Sequence, residues 1–438
     1  RYWVPAATLK GSSVMICKAT GDQTEPTVAH DGSDFMVAWR DNRSGSASNI
    51  YGARVTVGGA LVSGSEVAIS LAAGTQYRPS IAWAKGAYLV AWEDGRNSAT
   101  SGYEIYGARL SGAGASKDPA GIMLSSSASN QLRPAVAYDG TNYLAVWQDY
   151  RDYATTRINL YGALVSPTGA LVNSSGIAVS KANGDQLYPA VTYGGGKYLV
   201  VWEDRRSGTN IYGTQVDTTG KVSHPSGVAI SAAAGNQQWP AVASDGSGYL
   251  VVWQDYRNSS SYPDIYGTRV SGFGAVVDAN GLVIAKASYH QSSPAVAYGV
   301  GNYLVVWMDY RNYKTSNWDI HGARVSTAGK VLDANSVVIS DQVHHQYYPA
   351  VAHDNANFLV VWQDQRNSSA GTAWDIYGAR VSSAGNLIGS SKAGTAISVS
   401  GGDQLRPRVA SSSSSFLAVW EDYRGGKYNP DIYGTRVS

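Results

Sequence analysis

The chain has 438 residues, of which 15% are charged, and 34 Lys and Arg against 32 Asp and Glu leave a net charge of +2, which excludes the basic footprint of a nucleic-acid or anionic-membrane binder. A hydrophobic content of 44% with 11% aromatic residues suffices for a packed core and excludes a disordered chain. One cysteine, Cys17, forms no internal disulfide and no cysteine-based zinc cluster, and no apolar run approaches the ~20 residues that span a bilayer.

Self-similarity dominates the sequence. The motif W-x-D-x-R recurs eight times, at Trp39, Trp92, Trp147, Trp202, Trp253, Trp307, Trp362 and Trp420, with spacings of 53, 55, 55, 51, 54, 55 and 58 residues. That period fits a propeller blade of four strands. Helical and leucine-rich repeats are excluded, because Gly-bearing turns interrupt every segment and no 3.6-residue apolar period is present.

Within one period the elements follow a fixed order. Q-x-x-P opens the first strand, as in Gln291 to Pro294 and Gln346 to Pro349; proline suits a strand start where no ladder donor is needed. If these strands are innermost, the glutamines stand near one mouth of a central channel, either offering amides to a sugar or bonding neighbouring backbone. The second strand, "YLAVW" in the third copy, is apolar on both faces, with Leu144 and Val146 on one side and Tyr143, Ala145 and Trp147 on the other. A strand packed by sheets on both faces requires this.

The motif that ends this strand places Trp147, Asp149 and Arg151, and likewise Trp253, Asp255 and Arg257, on one side of an extended chain. We read it as architecture: the indole fills the gap between blades, the carboxylate accepts hydrogen bonds, and the arginine pairs with it or stacks on tyrosine. A polar loop leads to the third strand, [D/N/E]-[I/L]-[Y/H]-G, as at Asp264 to Gly267; His321 is the one departure from tyrosine. A short segment of the "GIAVS" type forms the fourth strand. The last copy stops after its third strand, and the segment around residues 13–19 matches a fourth strand. The expected fold is therefore an all-β, eight-bladed propeller of four-stranded antiparallel blades, a single domain over residues 1–438. Residues 13–19 complete the blade formed by 407–438 and pair beside 431–438, which removes an exposed edge.

Departures from the repeat are better candidates for function than the repeat. In chain order, the loops between second and third strands carry Tyr262, Trp318, Trp374 and Tyr428 among small polar residues, a surface suited to carbohydrate or protein. His290, His344 and His345 precede the glutamines of adjacent copies and form a candidate metal or anion site. Gln291 and Gln346 join the four loop aromatics as the candidate ligand-binding residues. No catalytic residue is assigned, because no nucleophile elbow, zinc-protease helix or phosphate loop is present. No cofactor is indicated, and a metal ion such as calcium is left open.

The tandem "YLVVWxDxR" and "DIYGxRV" segments resemble the repeats of secreted or cell-surface β-propeller proteins of bacteria. The resemblance covers nearly the whole chain and implies an architecture and a location outside the cell, but no activity. The chain's opening at Arg1 without an initiator methionine fits a processed, exported form. The expected function is a non-catalytic extracellular binding or scaffold protein that engages a glycan, a matrix component or another protein through one face. The alternatives are a polysaccharide-degrading enzyme, lyase or hydrolase, at the channel mouth, and a self-assembling subunit of a surface layer or fibre.

Overall fold

The computed structural model describes residues 13–368, 373–389, 392–426 and 428–438; residues 1–12 of the expected domain lie outside these. Eight antiparallel sheets of four strands form a ring, a β-propeller. The third blade is typical: Gln131–Tyr138, Tyr143–Asp149, Asn159–Val165 and Ile177–Ser180 pair in chain order. The first strands of successive blades touch one another all the way round, the first blade's Gln23–His30 meeting the eighth's Gln404–Ser411. They therefore wall the central channel. The seventh blade differs by a short extra strand, Leu387–Ile388, beside its third.

Closure follows the expected clasp. Val14–Cys17 pairs antiparallel with Asp431–Val437, the third strand of the last blade, through Val14 opposite Gly434 and Cys17 opposite Ile432. Ile16 and Cys17 are buried among Phe35, Trp39, Val419 and Ile432.

The core is eight separate seams rather than one centre. Leu89 and Ala91 of the second blade pack on Tyr143, Ala145 and Trp147 of the third, while Leu144 and Val146 pack on Tyr198, Val200 and Trp202 of the fourth. The alternation read from "YLAVW" thus assigns each face to a different neighbour. Glycine after the third-strand aromatic is required by close approach: a Cβ on Gly267 would lie 2.8 Å from Ile284 Cδ1 and 2.9 Å from the Val251 carbonyl oxygen.

Each W-x-D-x-R motif closes on itself. The indole Nε1 donates to the aspartate two residues on at 2.7–2.9 Å in every blade. The arginine binds the same carboxylate through Nε and Nη2; Arg151 reaches Asp149 at 2.8 and 2.6 Å. In seven blades the guanidinium also lies 3.7–4.0 Å above the third-strand tyrosine.

The sixth blade is the exception. His321 replaces that tyrosine, and its Nδ1 meets Ser336 Oγ at 2.9 Å. Ser336 occupies the position held by Gly281 in the fifth blade and has a φ of 57°, so the two residues depart from the repeat together. Burial holds His321 at about 4, below its ordinary 6.5. It stays neutral when folded and protonates when unfolded, so its contribution to stability is present above pH 6.5 and is lost as pH falls towards 4. Replacing His321→Tyr with Ser336→Gly is expected to add about 0.5–1 kcal/mol through the restored cation–π contact and to flatten the acid loss in that window. Urea unfolding at pH 7 and pH 5 would test both, and an unchanged or lower midpoint for the double variant would refute the account.

Candidate functional site

A bulge in every first strand builds the site. In the third blade Leu132 pairs with Gln148 and Ala135 with Val146, so Arg133 and Pro134 are looped out of the ladder. Proline at the bulge gives up no ladder donor. The residue before it ordinarily stays extended, yet here it is left-handed in all eight blades: Glu25, Arg78, Arg133, Tyr188, Trp239, Ser293, Tyr348 and Arg406 have φ between 49° and 58°. Non-glycine residues held this way cost about 1–3 kcal/mol each and cluster at functional sites.

What holds the strained residue is the side chain between Trp and Asp of the preceding blade. Glu93 Oε1 accepts from Arg133 N at 2.8 Å, Gln148 Oε1 from Tyr188 N at 2.9 Å, Gln254 Oε1 from Ser293 N at 3.3 Å, Gln363 Oε1 from Arg406 N at 3.2 Å and Glu421 Oε1 from Glu25 N at 2.8 Å. Glu203 receives Trp239 N in the same way, and burial raises its carboxyl above the usual range. Arg40 stands at this position in the first blade, and there Glu25 Oε2 accepts from Arg78 N at 2.7 Å instead. Met308 in the sixth blade has no oxygen to offer Tyr348.

The eight side chains that precede the prolines ring one mouth of the channel. Arg406, Glu25, Arg78 and Arg133 occupy four consecutive blades, and Tyr188, Trp239, Ser293 and Tyr348 the other four. Two cavities of about 620 and 600 Å³ open here and share Tyr188, Pro240 and Arg408, each within the range of a small-ligand pocket. Tyr188 and Trp239 stack at 5.1 Å between centroids and 24° between planes, with Trp239 51% exposed. Arg133 lies 4.8 Å over the outer face of Tyr188.

Arg408 breaks the symmetry inside the channel. The other blades place Thr27, Ser80, Ala135, Ala190, Ala241, Ala295 and Ala350 after the proline. Arg408 is exposed although channel walls surround it, and its environment is the open channel rather than a dry interior. Surrounding protein draws its ionisation downwards, but a guanidinium remains charged throughout the working pH range.

The sequence candidates fall in different places. Gln291 and Gln346 are fully buried, and their Nε2 atoms donate to the Tyr289 and His344 carbonyls at 3.0 and 3.1 Å; they hold their own loops and present no amide to the mouth. His290 lines the second cavity, with ring contacts to Tyr262 at 5.0 Å and Trp318 at 5.7 Å. His345 is elsewhere, stacked on Tyr347 at 5.1 Å with its Nδ1 3.1 Å from the phenol oxygen. His344 lines neither cavity. Among the described residues no three His, Cys, Asp or Glu side chains are grouped to hold a metal ion. Trp318 reaches Tyr347 at 6.0 Å, and Tyr347 reaches Trp374 at 5.1 Å, so Tyr262, His290, Trp318 and Trp374 form one aromatic chain across three blades. Tyr428 is 83% exposed on the eighth.

No protein-family model and no curated protein matches the chain. Similar solved structures include a puromycin-hydrolyzing peptidase of Mycobacterium tuberculosis, 13% identical over 93% of this chain and 59% of that one, TM-score 0.48. The GH43 endo-arabinanase of Bacillus licheniformis is 13% identical over 71% and 96%, TM-score 0.34. The catalytic domain of the GH62 alpha-L-arabinofuranosidase of Coprinopsis cinerea is 11% identical over 58% and 90%, TM-score 0.33. This chain spans about three fifths of the peptidase's length, and the likeness to all three is one of fold.

The residues before the prolines and Arg408 were absent from the sequence candidates. The signal was present: within the fixed frame Q-x-x-P the third letter runs Glu, Arg, Arg, Tyr, Trp, Ser, Tyr, Arg. Variation inside a conserved-looking frame marks a displayed position, whereas the glutamine itself marks the frame.

Proposed function

We propose that the chain is a polysaccharide-degrading enzyme acting at this channel mouth, secreted or held at the cell surface, with a glycan as its partner. This replaces the expectation of a non-catalytic binding or scaffold protein, because the similar solved structures named for glycans are cleaving enzymes, an endo-arabinanase and an arabinofuranosidase. The observation that carries the reading is one cavity that combines the stacked Tyr188–Trp239 platform, Arg408 and the half-buried imidazole of His290. Aromatic faces receive sugar rings, and an uncharged imidazole beside them is a proton acceptor.

Glu93, Glu203 and Glu421 are almost fully buried and spent on arginines and on the backbone of the next blade. They are positioning residues, and the proton-transfer role falls to His290. Replacing His290→Ala is expected to slow release of oligosaccharide about 100-fold, while His344→Ala leaves it unchanged. Burial lowers His290 below its ordinary 6.5, so its base form persists further into acid and the low-pH limb of kcat/KM should fall below that value. Reducing-end assays over a panel of plant and bacterial polysaccharides provide the measurement. Wild-type release by the His290 variant would remove it from the chemistry, and no release from any member would overturn the enzyme reading.

A further inference from the structure

The charges around the mouth do not cancel. Arg78 Nη1 is paired with Glu93 at 2.9 Å and Arg406 Nη1 with Glu421 at 3.0 Å, and Glu25 is occupied by the Arg78 backbone. Arg133 and Arg408 have no carboxylate within ion-pair distance among the described residues; Arg408 Nη1 donates only to the Pro407 carbonyl at 3.2 Å. Both line the same cavity, and Tyr188 joins that cavity to the one containing Trp239. A guanidinium without a carboxylate partner, placed in a channel where seven sister blades carry a small side chain, offers an incoming anion its planar fork of donors.

We infer that the mouth binds an acidic glycan, with the anionic group of one sugar on Arg408 and Arg133 and the face of a neighbouring sugar on the exposed ring of Trp239, which Tyr188 backs from the other side. This rests on the reading of the mouth as the glycan site and adds the class of glycan. Carboxylate and sulfate present the same chemistry to a guanidinium, so the source is decided by experiment. The neutral half of the ring, Tyr188 to Tyr348, then fixes the direction of the chain, because only one half can take the charge.

The test is binding by the full chain to polygalacturonate, dextran sulfate and neutral arabinan, by calorimetry at low and moderate salt. An acidic probe is expected to bind more tightly than arabinan and to weaken with salt. Arg408→Ala, the residue found at this position in five sister blades, should weaken the acidic probe about tenfold or more without changing the unfolding midpoint. Trp239→Ser, the residue of the sixth blade, should weaken it by loss of stacking and leave the salt dependence intact. Preference for polygalacturonate assigns a carboxylate and preference for dextran sulfate a sulfate. Equal affinity for arabinan, or an Arg408 variant that binds as wild type does, overturns the inference. Retention of an acidic probe without fragment release would sink the degradation reading alone, whereas fragments released only from arabinan would sink this inference alone.

Discussion

Asp255→Ala should destabilise the protein by about 3–5 kcal/mol, the cost of removing one partner from a buried ion pair. Asp255 is fully buried. Its carboxylate accepts Trp253 Nε1 at 2.7 Å, Arg257 N at 2.8 Å, Arg257 Nε at 2.9 Å and Nη2 at 2.7 Å. Without it an indole N–H loses its acceptor and a guanidinium 3.9 Å above Tyr266 loses its counter-charge inside the seam. Asp255→Asn keeps an acceptor for Trp253 but no charge for Arg257, and is expected to fall between wild type and alanine. Urea unfolding followed by tryptophan fluorescence would measure both. Equal midpoints for wild type and alanine would show that the repeated aspartate is not architectural.

Removing residues 1–17 should cost about as much and should also change the protein's behaviour in solution. Ile16 alone buries a side chain worth about 2–3 kcal/mol, and deleting its strand uncovers the backbone of Asp431–Val437. An open edge of this kind templates pairing with other chains, so the truncated protein is expected to melt earlier and to form oligomers that the intact chain does not. Adding a synthetic peptide of residues 13–19 should restore part of the midpoint. A truncated protein that melts as the intact chain does would refute the clasp.

The architecture was legible because a repeat states its packing eight times. The two-faced apolar second strand, the glycine after the third-strand aromatic and the orphan fourth strand at residues 13–19 each carry a physical requirement that one sequence displays. The mouth was harder to read for a specific reason. A left-handed residue before proline runs against local preference, and here it is held by a side chain some 40 residues earlier, as Tyr188 is by Gln148. Nothing local in "LYP" announces it. The histidines drew attention because they are rare, but rarity along the chain did not make them neighbours: His290 reached a cavity, while His345 packed on Tyr347. Gln291 and Gln346 recur for the opposite reason, since each fastens its own loop.

The support of the strained residues from the preceding blade has a consequence for how the protein can change. Because the oxygen that fixes the backbone at Arg133, Tyr188, Trp239 and Ser293 belongs to another sheet, and none of these side chains pairs with a buried carboxylate, these four positions behave as sockets. Glu25 stays bound to the frame, since it also carries the hydrogen bond that Arg40 cannot accept, and Arg78 and Arg406 are bound to it by their pairs with the buried Glu93 and Glu421. Recognition can then be rewritten by single codon changes, one socket at a time, while the bulge that carries each socket stays in place.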